Sequence, residues 1–215
     1  MPIARSVAVT THGHFLVEPP EEGAPKGLLV GFHGYGESAA DHLAALMEIP
    51  GRERWCLCAV QGLHHFYRQR TGEVVASWMT SSCREQAIRD NVSYVRRVVA
   101  GLRATYGAPP LVLAGFSQGV AMAYRAAARL GIPVAALLSL AGDVPPDLTE
   151  DELAGLPPVL IGRGTRDKWY DEAKMQADLD HLRPAAVQVA TCVFDGGHEW
   201  STEFHRAAGE VLEGA

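Results

Sequence analysis

Cysteine is scarce in this sequence, with four residues at positions 56, 58, 83 and 192, and their spacing fits neither a disulfide framework nor a zinc site. We expect buried free thiols in a reducing compartment, with Cys56 and Cys58 on one face of an extended strand. Basic residues are also short, because 19 Lys and Arg against 25 Asp and Glu leave a net charge of −6. Phosphate contacts need clustered cations, so this balance argues against nucleic acid as a partner. The small pair Arg68 and Arg70 reads as part of a solvated loop. Long apolar runs are missing too. The longest stretch, around residues 134–141, falls far below the roughly 18 residues that a membrane span requires. Residues 1–9 hold one Arg and a short apolar patch cut off by Thr10 and Thr11, too little for a secretory signal. A soluble, cytoplasmic protein is the expectation. Neither repeats nor linkers interrupt the chain, and the turn-rich stretch 19–25 is too short to divide domains.

What is present is an ordinary globular composition, 47% hydrophobic and 20% charged, in a length that suits one domain over residues 1–215. From Lys26 onward, short Val- and Leu-rich runs alternate with longer segments of helical periodicity. Strands are predicted over residues 27–32, 55–60, 111–115, 135–140, 159–162 and 187–194. Helices are predicted over about 38–48, 84–106, 118–130, 171–182 and 202–212. That alternation argues for an α/β fold, a mostly parallel twisted sheet with helices on both faces. The helical signal is clearest where Ile88, Val92, Val95, Val99, Leu102 and Tyr106 recur at steps of four and three. Ser82 and Glu85 fit a capping box at the start of that helix, and Gly107 with Pro109 and Pro110 ends it. Residues 10–20 read as a piece of antiparallel hairpin ahead of the parallel sheet.

Gly115-Phe116-Ser117-Gln118-Gly119 fits the pattern GxSxG. Chance alone produces such a match in about one chain of this length in fifteen, so the context decides. Leu111 to Ala114 reads as a buried strand and Val120 to Tyr124 as the start of a buried helix, which puts Ser117 on a strand-to-helix elbow. A serine hydroxyl is a poor nucleophile until a base takes its proton and a third group fixes that base. Three histidines follow the serine: His181, His198 and His205. His181 and His205 fall inside predicted helices, whereas His198 follows a strand through the turn Asp195-Gly196-Gly197 and is the expected base. Asp167, beyond the strand at 159–162, is the expected acid, with Asp143 as runner-up and Asp195 read as a turn residue.

Acyl transfer also needs donors aimed at the oxyanion that develops in the transition state. The glycines of Gly31-Phe32-His33-Gly34-Tyr35-Gly36 permit backbone amides to face a substrate, and the hole is expected from the N–H groups of Tyr35 and Gln118. His33 is expected to brace that loop. His12 with His14, and His64 with His65, lack a third ligand, so no metal is expected.

Taken together, His33-Gly34-Tyr35-Gly36, Gly115-Phe116-Ser117-Gln118-Gly119, Gly164-Thr165-Arg166-Asp167 and Gly196-Gly197-His198 resemble the phospholipase/carboxylesterase family of α/β hydrolases, which includes acyl-protein thioesterases. The similarity runs from Lys26 to the C-terminus. Ser77-Trp78 looks like the Ser-Trp pair that this family carries near its active site, so Trp78 joins His33 and Gly34 as expected substrate-binding residues, with a core aromatic as the alternative reading of Trp78. The resemblance implies an α/β-hydrolase fold and a small-molecule ester or thioester substrate, hydrolysed with no cofactor. It also implies no large cap domain, in keeping with the short segment 143–156 between two predicted strands. Three features depart from the family: Val120 after the elbow, Lys168-Trp169-Tyr170 after the acid, and Arg68 and Arg70 in the loop 62–76. All three lie on the substrate side. The leading expectation is hydrolysis of small carboxylic esters. A thioesterase or lysophospholipase acting on longer acyl chains comes second, and a non-catalytic binding protein on the same scaffold third.

Overall fold

The computed structural model describes residues 2–3 and 5–215. Nine strands and six α-helices follow one another along it: β1 (Phe15–Glu18), β2 (Gly27–Phe32), α1 (Ala39–Met47), β3 (Trp55–Val60), β4 (His64–Tyr67), β5 (Val74–Ser77), α2 (Arg84–Tyr106), β6 (Leu111–Phe116), α3 (Gln118–Arg129), β7 (Ala136–Leu140), α4 (Glu150–Ala154), β8 (Val159–Gly164), α5 (Glu172–Leu182), β9 (Val189–Phe194) and α6 (Thr202–Gly214). Seven of the strands form one sheet in the order β1-β3-β2-β6-β7-β8-β9, parallel throughout except for β1. Every residue of β2, β3, β6, β7 and β8 is buried. A sheet whose strands are apolar on both pleat faces must be covered on both, which is why these runs carry no polar alternation. Helices α2 and α3 pack together on the sheet, and α1 meets the α6 end through Trp200, whose ring lies edge-on to His42 at 5.6 Å. The exceptions are the two edge strands, β1 and β9, each largely exposed or half-buried.

The predicted parallel strands and long helices appear within a few residues of their expected bounds. The N-terminal expectation needs correcting: β1 is antiparallel, but its partner is β3, with Phe15 opposite Val60, so there is no local hairpin. A hairpin does form where a loop was expected, from β4 and β5. The expected capping box of α2 is absent. Cys83 occupies the N-cap position with φ 51°, and the Ser82 amide donates to Thr80 instead. Of the four free cysteines, Cys56 and Cys58 are buried as expected, while Cys83 is exposed and Cys192 is partly so. Gly31 lies inside β2, and a Cβ there would meet the His42 ring at 2.5 Å; its small size serves helix packing.

Strand order reverses between β2 and β6, so the loops leaving their carboxyl ends diverge and open a crevice, the usual ligand site of an open α/β sheet. The chain between β7 and β8, residues 141–158, carries only the five-residue α4. No large cap covers the crevice. On its far side, Asp178 of α5 accepts from the Tyr170 hydroxyl at 2.8 Å and from the Val144 amide at 3.1 Å, joining three segments around a buried carboxylate. Burial pushes that carboxyl up to about 6.

A carboxyl that binds its proton more tightly when folded stabilises the fold most at low pH, and this contribution is lost as pH rises through the folded value. Relative to Asp178→Asn, wild-type protein should therefore gain about 2 kcal/mol of stability between pH 7 and pH 4.5. Urea unfolding of both proteins at the two pH values checks this.

Candidate active site

Strand β6 delivers the chain to Ser117, whose backbone sits at φ 53° and ψ −119°, outside the regions that L-residues prefer. Strand and helix cross so closely here that a Cβ on Gly115 would come within 2.5 Å of Val120 Cα, and one on Gly119 would run into the Phe32 carbonyl. Glycine is thus required on both sides of the serine. The turn leaves Ser117 partly exposed at the crevice while its own amide donates to Leu140 O at 2.9 Å.

The loops after β8 and β9 bring two further side chains to this point. His198 Nε2 lies 2.8 Å from Ser117 Oγ, and His198 Nδ1 lies 2.8 Å from Asp167 Oδ2. Asp167 can only accept when ionised, so it fixes the proton on Nδ1 and leaves Nε2 as acceptor toward the serine. The other carboxylate oxygen of Asp167 is held by the amides of Trp169 and Tyr170, at 2.8 and 3.0 Å, and the side chain is fully buried. The Phe116 ring packs 5.0 Å from the imidazole and restricts its tilt. None of the other acids and bases weighed in the sequence bonds to Ser117 or His198 among the described residues. Asp143 pairs with Lys174, Asp195 with Arg166, His181 is exposed on α5, and His205 stacks on Trp200. Among the described residues no group of three metal-ligating side chains occurs.

Beside the serine, the amides of Tyr35 and Gln118 have no hydrogen-bond partner among the described residues. The Tyr35 side chain turns out to solvent against Phe66, with ring centres 5.3 Å apart. The loop that carries it is clamped from several sides. Gly36 and Glu37 pair with Ala76 of the hairpin, at 2.9 Å in each direction. The Gly34 amide donates to Glu37 Oε2 at 2.7 Å, and burial pushes the Glu37 carboxyl up from its ordinary value. Arg68 donates to the Gly36 carbonyl at 2.7 Å and pairs with Glu73, so it is a structural strut and not the free loop cation expected from sequence.

The three expected substrate-binding residues lie beneath this loop and not on its open side. His33 is fully buried; its Nε2 accepts from the Gly62 amide at 2.9 Å, so Nδ1 carries the proton donated to Gly34 O at 2.7 Å. Burial keeps its imidazole below the ordinary value and neutral. Trp78 is equally buried and donates its indole N–H to His33 O at 2.8 Å. Gly34 is buried with its amide already committed. Their burial makes them supports for the loop.

Several residues that the sequence reading passed over complete this support. The Gln118 side chain accepts from the Trp78 amide at 2.9 Å and donates to Met79 O at 3.0 Å, tying the elbow to residues 77–79. Asn91 donates to Trp78 O at 2.7 Å from the buried face of α2. A polar residue on the apolar stripe between Ile88 and Val95 was the signal available for it. Arg125, fully buried on α3, is held by the Asp147 carboxylate, with Nη2 2.5 Å from Oδ1, and reaches Met79 Sδ at 3.7 Å. No spacing in the sequence marks that pair.

Ser117, His198, Met79, Val144, Trp169 and Arg84 are among the residues lining an open cleft of about 570 Å³. The elbow, the reversal of strand order and the parallel sheet define the chain as a protein of the α/β-hydrolase fold. No family model matches the chain, and no curated protein matches it in sequence. Solved structures do. The chain is similar to esterase PE8, with 23% identity, a TM-score of 0.73, and coverage of 95% of this chain and 99% of that one. It is also similar to the phospholipase/carboxylesterase from Dyadobacter fermentans, with 21% identity and a TM-score of 0.70 over 96% of this chain and 99% of that one. Zea mays acyl-protein thioesterase 2 aligns at 18% identity with a TM-score of 0.72, covering 94% and 97%. These likenesses establish a shared fold along nearly the whole chain.

Without the buried Arg125 guanidinium, Asp147 stays one-third exposed and paired with Arg129 at 3.1 Å, so the loss is that of charge-assisted hydrogen bonds, about 1.5–3 kcal/mol. Arg125→Ala should lower unfolding free energy by that amount, and chemical denaturation measures it.

Proposed function

We propose that this protein is a serine carboxylesterase that hydrolyses small carboxylic esters through an acyl-enzyme. One observation carries the reading: the unbroken hydrogen-bonded path from Asp167 through His198 to Ser117, at 2.8 Å per step, ending on a strained elbow. In this mechanism Ser117 Oγ attacks the ester carbonyl carbon as His198 Nε2 takes its proton. The carbonyl oxygen becomes an oxyanion held by the Tyr35 and Gln118 amides. His198 then protonates the departing alcohol, the C–O bond breaks, and the acyl group stays on Ser117. Water, deprotonated by the same imidazole, attacks that acyl-enzyme and releases the acid. Asp167 keeps the imidazole in the productive tautomer and offsets its charge when protonated. The reaction requires no cofactor.

The openness of the cleft and its charged lining, which includes Arg84, Asp143 and Lys174, favour short acyl groups. A thioesterase or lysophospholipase role on longer acyl chains is the second reading. It is favoured by the apolar patch of Val144, Pro145 and Pro146 in the same cleft, and a structural neighbour is an acyl-protein thioesterase. All four cysteines are free, which suits the cytoplasm.

Ser117→Ala should lower kcat on 4-nitrophenyl acetate by at least about a thousandfold, with the protein still folded. A fluorophosphonate probe should label wild type and not the variant; no labelling of folded wild type points instead to a non-catalytic binding protein. In a series of oxygen esters and thioesters from two to sixteen carbons, kcat/KM should peak at short oxygen esters. A peak at long thioesters would reverse the order of the two readings. Arg68→Ala, which loosens the oxyanion loop without touching substrate, should reduce kcat about tenfold while leaving KM near its wild-type value.

A further inference from the structure

The cleft beside Ser117 carries charge for which acyl transfer has no use. Two cations, Arg84 and Lys174, and one carboxylate, Asp143, line it. Lys174 is committed, since its ammonium donates to Trp169 O at 2.7 Å and stands 3.7 Å from Asp143. Arg84 is not. Among the described residues it has no ion pair and no side-chain hydrogen bond, because its neighbour Glu85 faces Arg89, 3.9 Å away. A free guanidinium at the nucleophile's cleft is conspicuous in a chain of net charge −6, where carboxylates outnumber cations.

We propose that Arg84 binds an anionic group carried by the substrate, so that the preferred esters are acidic ones bearing a carboxylate or a phosphate. This rests on the acyl-transfer reading of Ser117. The guanidinium presents forked donors that match two oxygens of either anion. Arg84 and Ser117 line one cleft, so a single small molecule can present its ester to the serine and its anion to the arginine. Asp143 opposes this preference and Lys174 blunts Asp143, which leaves Arg84 as the selective group.

The experiment compares kcat/KM for matched acidic and neutral esters. The first pair is 4-nitrophenyl hydrogen glutarate against 4-nitrophenyl valerate, with the charge on the acyl side. The second is 3-carboxyphenyl acetate against phenyl acetate, with the charge on the alcohol side, and a 3-phosphonooxyphenyl acetate arm separates phosphate from carboxylate. The acidic-to-neutral ratio should fall about fivefold in Arg84→Gln in at least one arm, the scale of a solvent-screened ion pair. Arg84→Lys should keep part of it, and salt near about 0.5 M should lower the wild-type ratio toward that of Arg84→Gln. Asp143→Asn should raise the ratio by removing the opposing charge. A ratio unchanged within twofold in Arg84→Gln, in every arm, overturns the inference while leaving the esterase reading intact. Wild-type protein that hydrolyses none of these esters overturns the acyl-transfer reading, and this inference with it.

Discussion

The backbone conformation of Ser117 is the constraint on which the rest of this molecule depends. Positive φ with ψ near −119° is unfavourable for a residue with a side chain, and it persists only because the surroundings leave no alternative. Those surroundings are specific: β6 held between β2 and β7, α3 pressed against the sheet, and glycines at 115 and 119 where the two backbones nearly touch. The strained turn lifts the hydroxyl into the crevice and at the same time leaves the Gln118 amide, the first of α3, unpaired beside it. A single distortion thus presents both the Ser117 hydroxyl and an unpaired backbone amide to the crevice.

The second unpaired amide, that of Tyr35, belongs to a loop held from outside. Tyr35 lies in a glycine-rich stretch with few contacts of its own, and its order comes from polar links made underneath it. Glu37 ties back to Gly34, Arg68 and Ala76 hold it from the hairpin, and His33 and Trp78 form a buried polar pair below. Gln118 then connects this support to the elbow through Trp78 and Met79. The two amides therefore share one network, so a shift in either loop is transmitted to the other. Networks of this kind hold their geometry only when every polar member is satisfied, and here nearly all are.

The absence of a cap shapes what the site can recognise. In a closed tunnel apolar burial selects the acyl chain, whereas in an open cleft water competes for every apolar contact and fixed charges weigh more in selection. Arg84, Asp143, Lys174 and the exposed Trp169 ring all reach this cleft. Of these only Trp169 lies in a stretch where the sequence departs from the family it resembles; Arg84 opens α2, Asp143 follows β7 and Lys174 sits on α5.

The sequence by itself determined the order of the parallel strands and long helices, and that Ser117, Asp167 and His198 each follow the carboxyl end of a strand. These were legible because apolar periodicity and glycine spacing are local consequences of local structure. Asn91 was legible in principle, as a polar residue on an apolar helical stripe. Only the tertiary structure decided which polar side chains support the site and which face it. Trp78 and Gly34 look like substrate contacts in one dimension, yet they are buried beside His33, the residue expected to brace the loop; Arg68 looks like a solvated loop cation, yet it holds Gly36. The pairing of β1 with β3 and of Arg125 with Asp147 was equally out of reach. Such contacts join residues far apart in sequence, and their energy depends on distance, burial and the partner's geometry, none of which leaves a periodic trace in the chain.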